Sequence, residues 1–460
     1  MNFKVPLVAA VGVLLIAGGC TSMPSIESPD RQAATALSVG EPFQYMTEGE
    51  PLDVVDSHQT LSIEQSVKLA LQHDPRIQAS LAKLRQAEAE ARQTRLLPNP
   101  VIGIAFRFPD GGGKSIIDAD VAADLLSLLS RPGRISAADN RLRKASAETL
   151  IAVLDVVRET QQQFVDLQSL RDQLDVESSR RQILQQLVSV TDSRVNAGEA
   201  GRLDVLTVQA ELSALEGELI SLRSQERLAR LTLARLIGQP SRTQDWELTR
   251  VPAPAPTSVN EQEWILRALE HRPEIAAVKW ELEALGQGVR IARLGVLTGD
   301  VGVAAERDDG WSIGPSASLA IPIFDTGQAA KDSRVAAVVE QRHELTRASR
   351  QVVEDVRRAL EKVRSASDAM DLVNNQLLPL QEQRLKQSQD AYRLGLSDIL
   401  MLRLAEQEAQ EAKARLIVLR GELLQANFDL DRAVGGRGFA VAAKLPSTQS
   451  SDTTTKESIK

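Results

Sequence analysis

The feature that most constrains the fold is a pair of very long helical stretches, each followed by a short glycine-bearing turn and another helix. The first stretch covers residues 134–195, and the second covers residues 331–394. At 1.5 Å per residue, a helix of this length spans on the order of 90 Å. Such a helix cannot pack inside a compact domain, so it must lie along neighbouring helices in a coiled coil or a tube.

The second half of the chain repeats the first. Residues 268–275 (ALEHRPEI) match residues 70–77 (ALQHDPRI) at an offset of 198. After the first turn, apolar residues step by three and four at Val205, Val208, Leu212, Leu215, Leu219 and Leu222. The same register returns 197 residues later at Leu402, Ala405, Ala409, Ala412, Leu416, Leu419 and Leu423. Two copies of one heptad register indicate an internal duplication.

The repeats and the proline-rich stretches between them set the predicted domain boundaries. The tail after the second repeat is rich in Ser, Thr and Lys, a composition typical of disorder. We expect a signal peptide (1–19), a lipid-anchored tether (20–60), a first repeat (61–238), a linker (239–259), a second repeat (260–436) and a disordered tail (437–460).

Each half also predicts two short strands before its long helix. The predicted pairs are 101–108 with 115–126, and 301–305 with 311–324. In the strand at 115–126, one face carries Asp118, Asp120 and Asp124, and the other carries Ile117, Ala119, Val121 and Ala123. One polar and one apolar face at period two suits a barrel wall between water and lipid. An ordinary half-exposed hairpin has the same pattern, so this alternation alone leaves both interpretations open.

The N-terminus predicts a secreted, lipid-modified protein. Lys4 precedes the apolar run 5–16, which is too short to span a membrane but fits a signal-peptide core. Small residues then lead to Cys20, the only cysteine, so no internal disulfide can form. This segment resembles a bacterial lipobox, which implies cleavage before Cys20, a lipid on its thiol and, with Thr21 following, sorting to the outer membrane. A plain cleaved signal with an unmodified cysteine is the alternative.

Composition and spacing argue against several other functions. The formal net charge of −8, without any Lys/Arg-rich block, argues against nucleic-acid binding. No carboxylate or thiol cluster with ligand spacing accompanies the histidines, and Gly111–Ser115 reads as a hairpin loop rather than a phosphate loop. We therefore expect no metal, no cofactor beyond a covalent lipid on Cys20, and no enzymatic activity.

Taken together, these features resemble the TolC-type outer membrane efflux protein family, in its lipid-anchored branch. The resemblance covers residues 61–436 and rests on the duplicated order of elements, the Leu97-Pro98-Asn99-Pro100 helix stop and the two turns. It implies a mainly α fold with membrane β structure. Duplicated long helical hairpins would form a periplasmic α-barrel, and four strands per chain would contribute to a trimeric transmembrane β-barrel.

The resemblance implies an exit duct of a tripartite efflux or type I secretion-like system. Such a duct passively conducts substrates across the outer membrane from an inner-membrane pump and a periplasmic adaptor. Physical chemistry supports the homotrimer, because four strands with open edges cannot lie in lipid unless symmetry-related copies close them. The alternatives are a periplasmic adaptor, which normally has one hairpin, and a structural coiled-coil lipoprotein without a pore.

The same resemblance places the adaptor-docking turns at Gly198, Gly201 and Gly395, with a periplasmic gate beside them. Asp204 and Tyr392 match the family positions. An arginine and two aspartates usual in the family are replaced by Ser397, Met401 and Leu404.

These departures favour a more apolar constriction at Met401 and Leu404. Any ionic latch would then come from Asp204, Arg393, Asp398 and Arg403. The alternative is that Met401 and Leu404 only pack against neighbouring helices.

Overall fold

The computed structural model describes residues 45, 60–108, 115–239, 246–252, 254, 260–294, 299–307, 310–321 and 323–436. The predicted signal peptide, Cys20 and the tail at 437–460 lie outside these residues. The first repeat contains β1 (Thr60–Leu61), α1 (Ile63–His73), α2 (Pro75–Arg95), β2 (Val101–Arg107), β3 (Ile116–Asp124), α3 (Leu125–Leu129), α4 (Arg131–Asn196) and α5 (Arg202–Leu236).

The second repeat has the same order of main elements, which confirms the predicted duplication. It contains β4 (Glu247–Leu248), α6 (Glu261–His271), α7 (Pro273–Leu294), β5 (Gly299–Arg307), β6 (Trp311–Leu319), α8 (Gln328–Leu372), a π-helical turn (Val373–Leu377), α9 (Leu378–Arg393) and α10 (Ile399–Ala433).

Helix α4 is the central element of the chain. It has 66 residues and packs against α1, α2 and α5 of its own repeat and against α7 and α10 of the other. Tertiary packing of this kind, rather than helix propensity, stabilises long helices. None of the helices in the described ranges combines the length and apolarity needed to cross a membrane.

The second long helix is interrupted, although the sequence pattern predicted one continuous helix over 331–394. A π-helical turn separates α8 from α9. Pro379 follows this turn at the start of α9. A proline has no N–H to donate to the carbonyl four residues earlier, so the ladder rearranges locally at this point.

The two predicted helix breaks are present, and equivalent residues at the two breaks carry opposite charges. In the first repeat, Asp74 accepts the Arg76 N–H as the cap of α2 and also forms an ion pair with that arginine (2.7 Å). In the second, Arg272 takes the equivalent position and pairs with Glu274 (3.2 Å) and with Asp355 of α8 (2.7 Å). The duplication has kept the geometry of the break while exchanging its charges.

The four long strands form one antiparallel sheet in the order β2-β3-β5-β6. Paired residues share a face, so the register fixes the two surfaces. One face carries the polar residues Arg107, Asp118, Asp120, Asp124, Asp300, Glu306, Ser312, Ser316 and Ser318. The other carries Ile102, Ile104, Phe106, Val121, Val301, Val303, Trp311, Ile313 and Leu319, with Arg307 at its margin. The polar and apolar faces predicted for the strand at 115–126 are therefore confirmed.

Part of the predicted linker at 239–259 is an ordered strap. Strand β4 pairs in parallel with β1, and Trp246 is buried beside them. The Val251 N–H donates to Gln168 of α4 (3.3 Å), and its carbonyl accepts from Arg420 of α10 (2.7 Å). Proline content had suggested a simple spacer, but these contacts fasten the strap across both repeats.

We predict that Gly238→Ala lowers the thermal stability more than Gly198→Ala does. Both glycines have positive φ (84° and 78°), so a side chain at either costs about 1 kcal/mol. A Cβ at residue 238 would also overlap the Cβ of His73, whereas one at residue 198 meets nothing within 4 Å. Thermal unfolding in detergent, followed by circular dichroism of the helices, measures the difference. Equal unfolding temperatures for the two variants would show that the predicted clash is absent.

Candidate gate at the helical tips

The turns at the two hairpin tips have the same backbone geometry. Gly198 and Gly395 adopt the left-handed conformation (φ 78° and 69°) that ends α4 and α9. In each turn the residue after the glycine donates its N–H to a carbonyl five residues back, at 2.8 and 2.9 Å. This is the Schellman pattern, which favours glycine because a side chain is strained at positive φ. The predicted similarity of the two turns is confirmed.

The two aspartates near the turns cap their own helices. Asp204 accepts the Gly201 N–H (3.0 Å) at the start of α5, and Asp398 accepts the Leu400 N–H at the start of α10. Neither carboxylate forms an ion pair within the part of the chain that the structure describes. The structure therefore does not bring these two residues into an ionic latch within one chain.

Tyr392 lies between the two hairpins. Its ring stands 5.0 Å from the guanidinium carbon of Arg194, so α9 meets α4 through a cation–π contact. The same ring packs at the edge of an apolar cluster formed by Leu184, Leu187, Val208, Leu215, Leu219 and Leu402. This cluster joins α4, α5 and α10, so the tips of the hairpins share a small core.

Arg403 forms an ionic contact between the hairpins near their tips. Its guanidinium pairs with Glu211 of α5, and both side chains are largely buried. Glu211 also accepts from Arg180 of α4 (3.1 Å). Heptad spacing places Arg403 beside the apolar seam but does not identify what lies across that seam, so its partners could not be predicted from the sequence.

Met401 and Leu404 point away from this shared core. They are 54% and 43% exposed, while Leu402 between them is 5% exposed. The structure therefore does not pack them against other helices of the chain. Arg393 is also exposed and has no ion pair among the described residues.

Both tips expose a set of apolar side chains. These are Leu203, Leu206, Leu394, Leu396 and Leu400, which lie among the exposed charged residues Glu199, Arg202, Arg393 and Asp398. Single exposed apolar residues are ordinary, but a set confined to two adjacent turns is typical of a protein-contact surface. Within the described ranges no group of three or more His, Cys, Asp or Glu side chains is arranged to hold a metal ion.

The fold combines a four-stranded sheet that has one polar and one largely apolar face with two long helical hairpins. The family described as "Outer membrane efflux protein" matches residues 120–239 and 264–436. The chain belongs to the outer membrane efflux protein family. Membership places it in the outer membrane and gives it the function of an exit duct for exported compounds.

Individual relatives agree with this assignment. The pyoverdine export outer membrane protein OpmQ of Pseudomonas putida is 24% identical over 81% of this chain and 86% of its own length. The fusaric acid resistance protein FusA of Burkholderia cepacia is 23% identical over 70% of this chain and 67% of its own. The solved structure of VceC from Vibrio cholerae shares the fold, with a TM-score of 0.69 at 20% identity, over 82% of this chain and 96% of that one.

We predict that Tyr392→Phe keeps the channel closed as in the parent, whereas Tyr392→Leu opens it more often. A phenylalanine ring retains the face that attracts Arg194, and leucine does not. Since an exposed cation–π contact contributes about 0.5–1 kcal/mol, the ratio of open to closed states should rise about 2- to 5-fold in the leucine variant. Single-channel recordings in planar bilayers measure this ratio. An equal rise in both variants would mean that the hydroxyl, not the ring face, holds the tips.

Proposed function

We propose that this exit duct is a homotrimer in which twelve strands close a barrel through the outer membrane and the helices form a continuous periplasmic tunnel. Within the described chain, β2 and β6 are the edges of the sheet and pair on one side only. Unpaired backbone groups are costly in lipid, so each edge requires a partner. Pairing β6 of one copy with β2 of the next supplies it and turns the polar face toward a central pore.

Equivalent helices of the two repeats are buried to different extents, and this difference supports the same ring of copies. Helix α7 packs between α4 and α8, whereas among the described helices its repeat equivalent α2 packs mainly on α4. Accordingly, five of the 22 residues of α7 are exposed, against eleven of the 21 of α2. A second copy that placed its α8 beside α2 would give the first repeat the neighbours that the second already has.

Helices α5 and α10, which are repeat equivalents, also differ in how many of their residues are buried. Each has 35 residues, yet 13 are buried in α10 and eight in α5. Phe428 of α10 is 9% exposed, while its repeat equivalent on α5, Leu231, is 42% exposed. This difference at equivalent positions is the observation that carries the proposal, because α8 of an adjacent copy would cover the exposed side of α5.

The proposed system also includes an adaptor, a pump and a lipid anchor. The apolar tips around Gly198, Gly201 and Gly395 would dock a periplasmic adaptor, and an inner-membrane pump would supply the energy. A lipid on Cys20 would anchor the N-terminus in the same membrane. The duct itself would perform no catalysis. Relatives named for pyoverdine export and for fusaric acid resistance are similarly distant from this chain, which fits a duct whose pump selects the cargo.

The experiment on the assembly compares two leucines of α5. We predict that the parent protein migrates as a heat-sensitive trimer in detergent gels and conducts ions in bilayers. Leu231→Asp should abolish both properties, because it places a charge in the interface between copies. Leu203→Asp should retain the trimer, although Leu203 is more exposed (74%), because it lies at the tip.

The trimer proposal would be wrong if the parent protein were monomeric and silent in bilayers. It would also be wrong if Leu231→Asp assembled as well as Leu203→Asp. A monomer with full adaptor affinity would favour the alternative of a structural lipoprotein.

A further inference from the structure

A cluster of buried charges lies one helical turn behind the apolar core of the tips. On α10, Leu402 and Gln410 are 5% and 6% exposed and define the face turned toward the first hairpin. Arg403 and Glu406 lie on that same face at helical spacing. Glu406, which is partly buried, therefore lies on the side of α10 that faces the first hairpin.

Charged groups of α4, α5 and α10 lie around Glu406. Helix α5 contributes Glu211, and α4 contributes Arg180 together with Glu177, whose carboxylate lies 3.5 Å from that arginine. Arg403 of α10 bridges to Glu211. On the other side of α10, Arg384 of α9 and Glu408 form a separate pair within their own hairpin.

Both arginines near Glu406 already have carboxylate partners. Arg403 pairs with Glu211, and Arg180 contacts Glu211 (3.1 Å) and Glu177 (3.5 Å). Among the described residues Glu406 forms no ion pair of its own, so its ionised carboxylate adds a charge beside that of Glu211. An excess charge is costly in a site largely removed from water, because the local dielectric constant is low.

We propose that Glu406 is a proton-sensitive latch, which holds the two hairpin tips together when protonated and loosens their contact when ionised. This inference rests on the proposed function, since it concerns how the duct opens. The tips face the periplasm in that arrangement, so the latch would respond to periplasmic pH. The ligand it senses is a proton, and the moving parts are the contacts of Arg403 and Tyr392 with the first hairpin.

The electrostatic environment agrees in direction with this role. Burial, and then the nearby Glu211 carboxylate, raise the pKa of Glu406 to about 7, against the pull of Arg403 and Arg180. A raised pKa means that the latched state binds the proton more tightly than an open state in which Glu406 meets water. Stability of the latched state is therefore complete at acidic pH and is lost as the pH rises through about 7.

The size of the effect has an upper limit. If opening restores the ordinary pKa of 4.5, the ratio of open to latched states rises by at most about 70-fold between pH 5 and pH 8. Most of this rise occurs below and around pH 7, and the ratio levels off above it.

Two measurements on the full-length trimer test the latch. The first is single-channel recording between pH 5 and 8.5, in which we expect the open fraction to rise and level off above pH 7. The second is hydrogen exchange of residues 399–412, corrected for the intrinsic effect of pH, in which we expect weaker protection at pH 8 than at pH 6. Hydrogen exchange does not depend on conductance, so it measures contact between the hairpin tips whether or not the protein forms a channel.

Glu406→Gln and Glu408→Gln are the matched variants. Glu406→Gln mimics the protonated latch and should remove the pH step in both measurements, with the tips protected throughout. Glu408→Gln removes a carboxylate from the same helix but outside the cluster, and it should keep the step.

The outcomes separate the two proposals. Channels without a pH step, or a step that survives in Glu406→Gln, would overturn the latch and leave the duct intact. A step in hydrogen exchange without any conductance would support the latch while contradicting the duct.

Discussion

The packing of α4 against helices of both repeats is the contact on which the rest of the chain depends. Along its length α4 meets α10 through paired polar groups, among them Arg158 with Asp429 (3.1 Å) and Asp155 with Arg432 (2.7 Å). These contacts hold the hairpins side by side, so that both tips end at the same level. The strap at 246–252 reinforces the contact from outside, since it bonds to α4 and α10 together.

A single chain leaves some of its strand edges and helix sides without a packing partner among the described residues. Its sheet has two unpaired edges, and α2, α5 and α8 have exposed sides that their repeat equivalents bury. Internal duplication reveals this imbalance, because some exposed positions, such as Leu231, have buried equivalents in the other repeat, such as Phe428. The proposed ring of copies would pair the sheet edges and cover the exposed helix sides at once.

Sequence reasoning predicted the features that depend on local pattern. Period two placed Asp118 and Val121 on opposite faces, and glycines at the turns marked Gly198 and Gly395. Tertiary contacts were less accessible. Asp204 caps its own helix, a contact that was not predicted, since an aspartate three residues after a turn glycine suits a cap as well as a latch. The partnership of Arg403 with Glu211 depends on how two hairpins dock, which a heptad pattern does not specify.

In the proposed duct the channel opens when the hairpin tips separate, and a reversible cross-link between α10 and α5 tests this step. Replacing Arg403 and Glu211 by cysteine removes the ion pair and provides thiols on α10 and α5 for a short thiol-cleavable linker. With the linker in place, the trimer should show low conductance in bilayers. Reduction of the linker should raise the conductance above that of the parent protein. Equal conductance before and after reduction would contradict the claim that contact between the hairpins closes the channel.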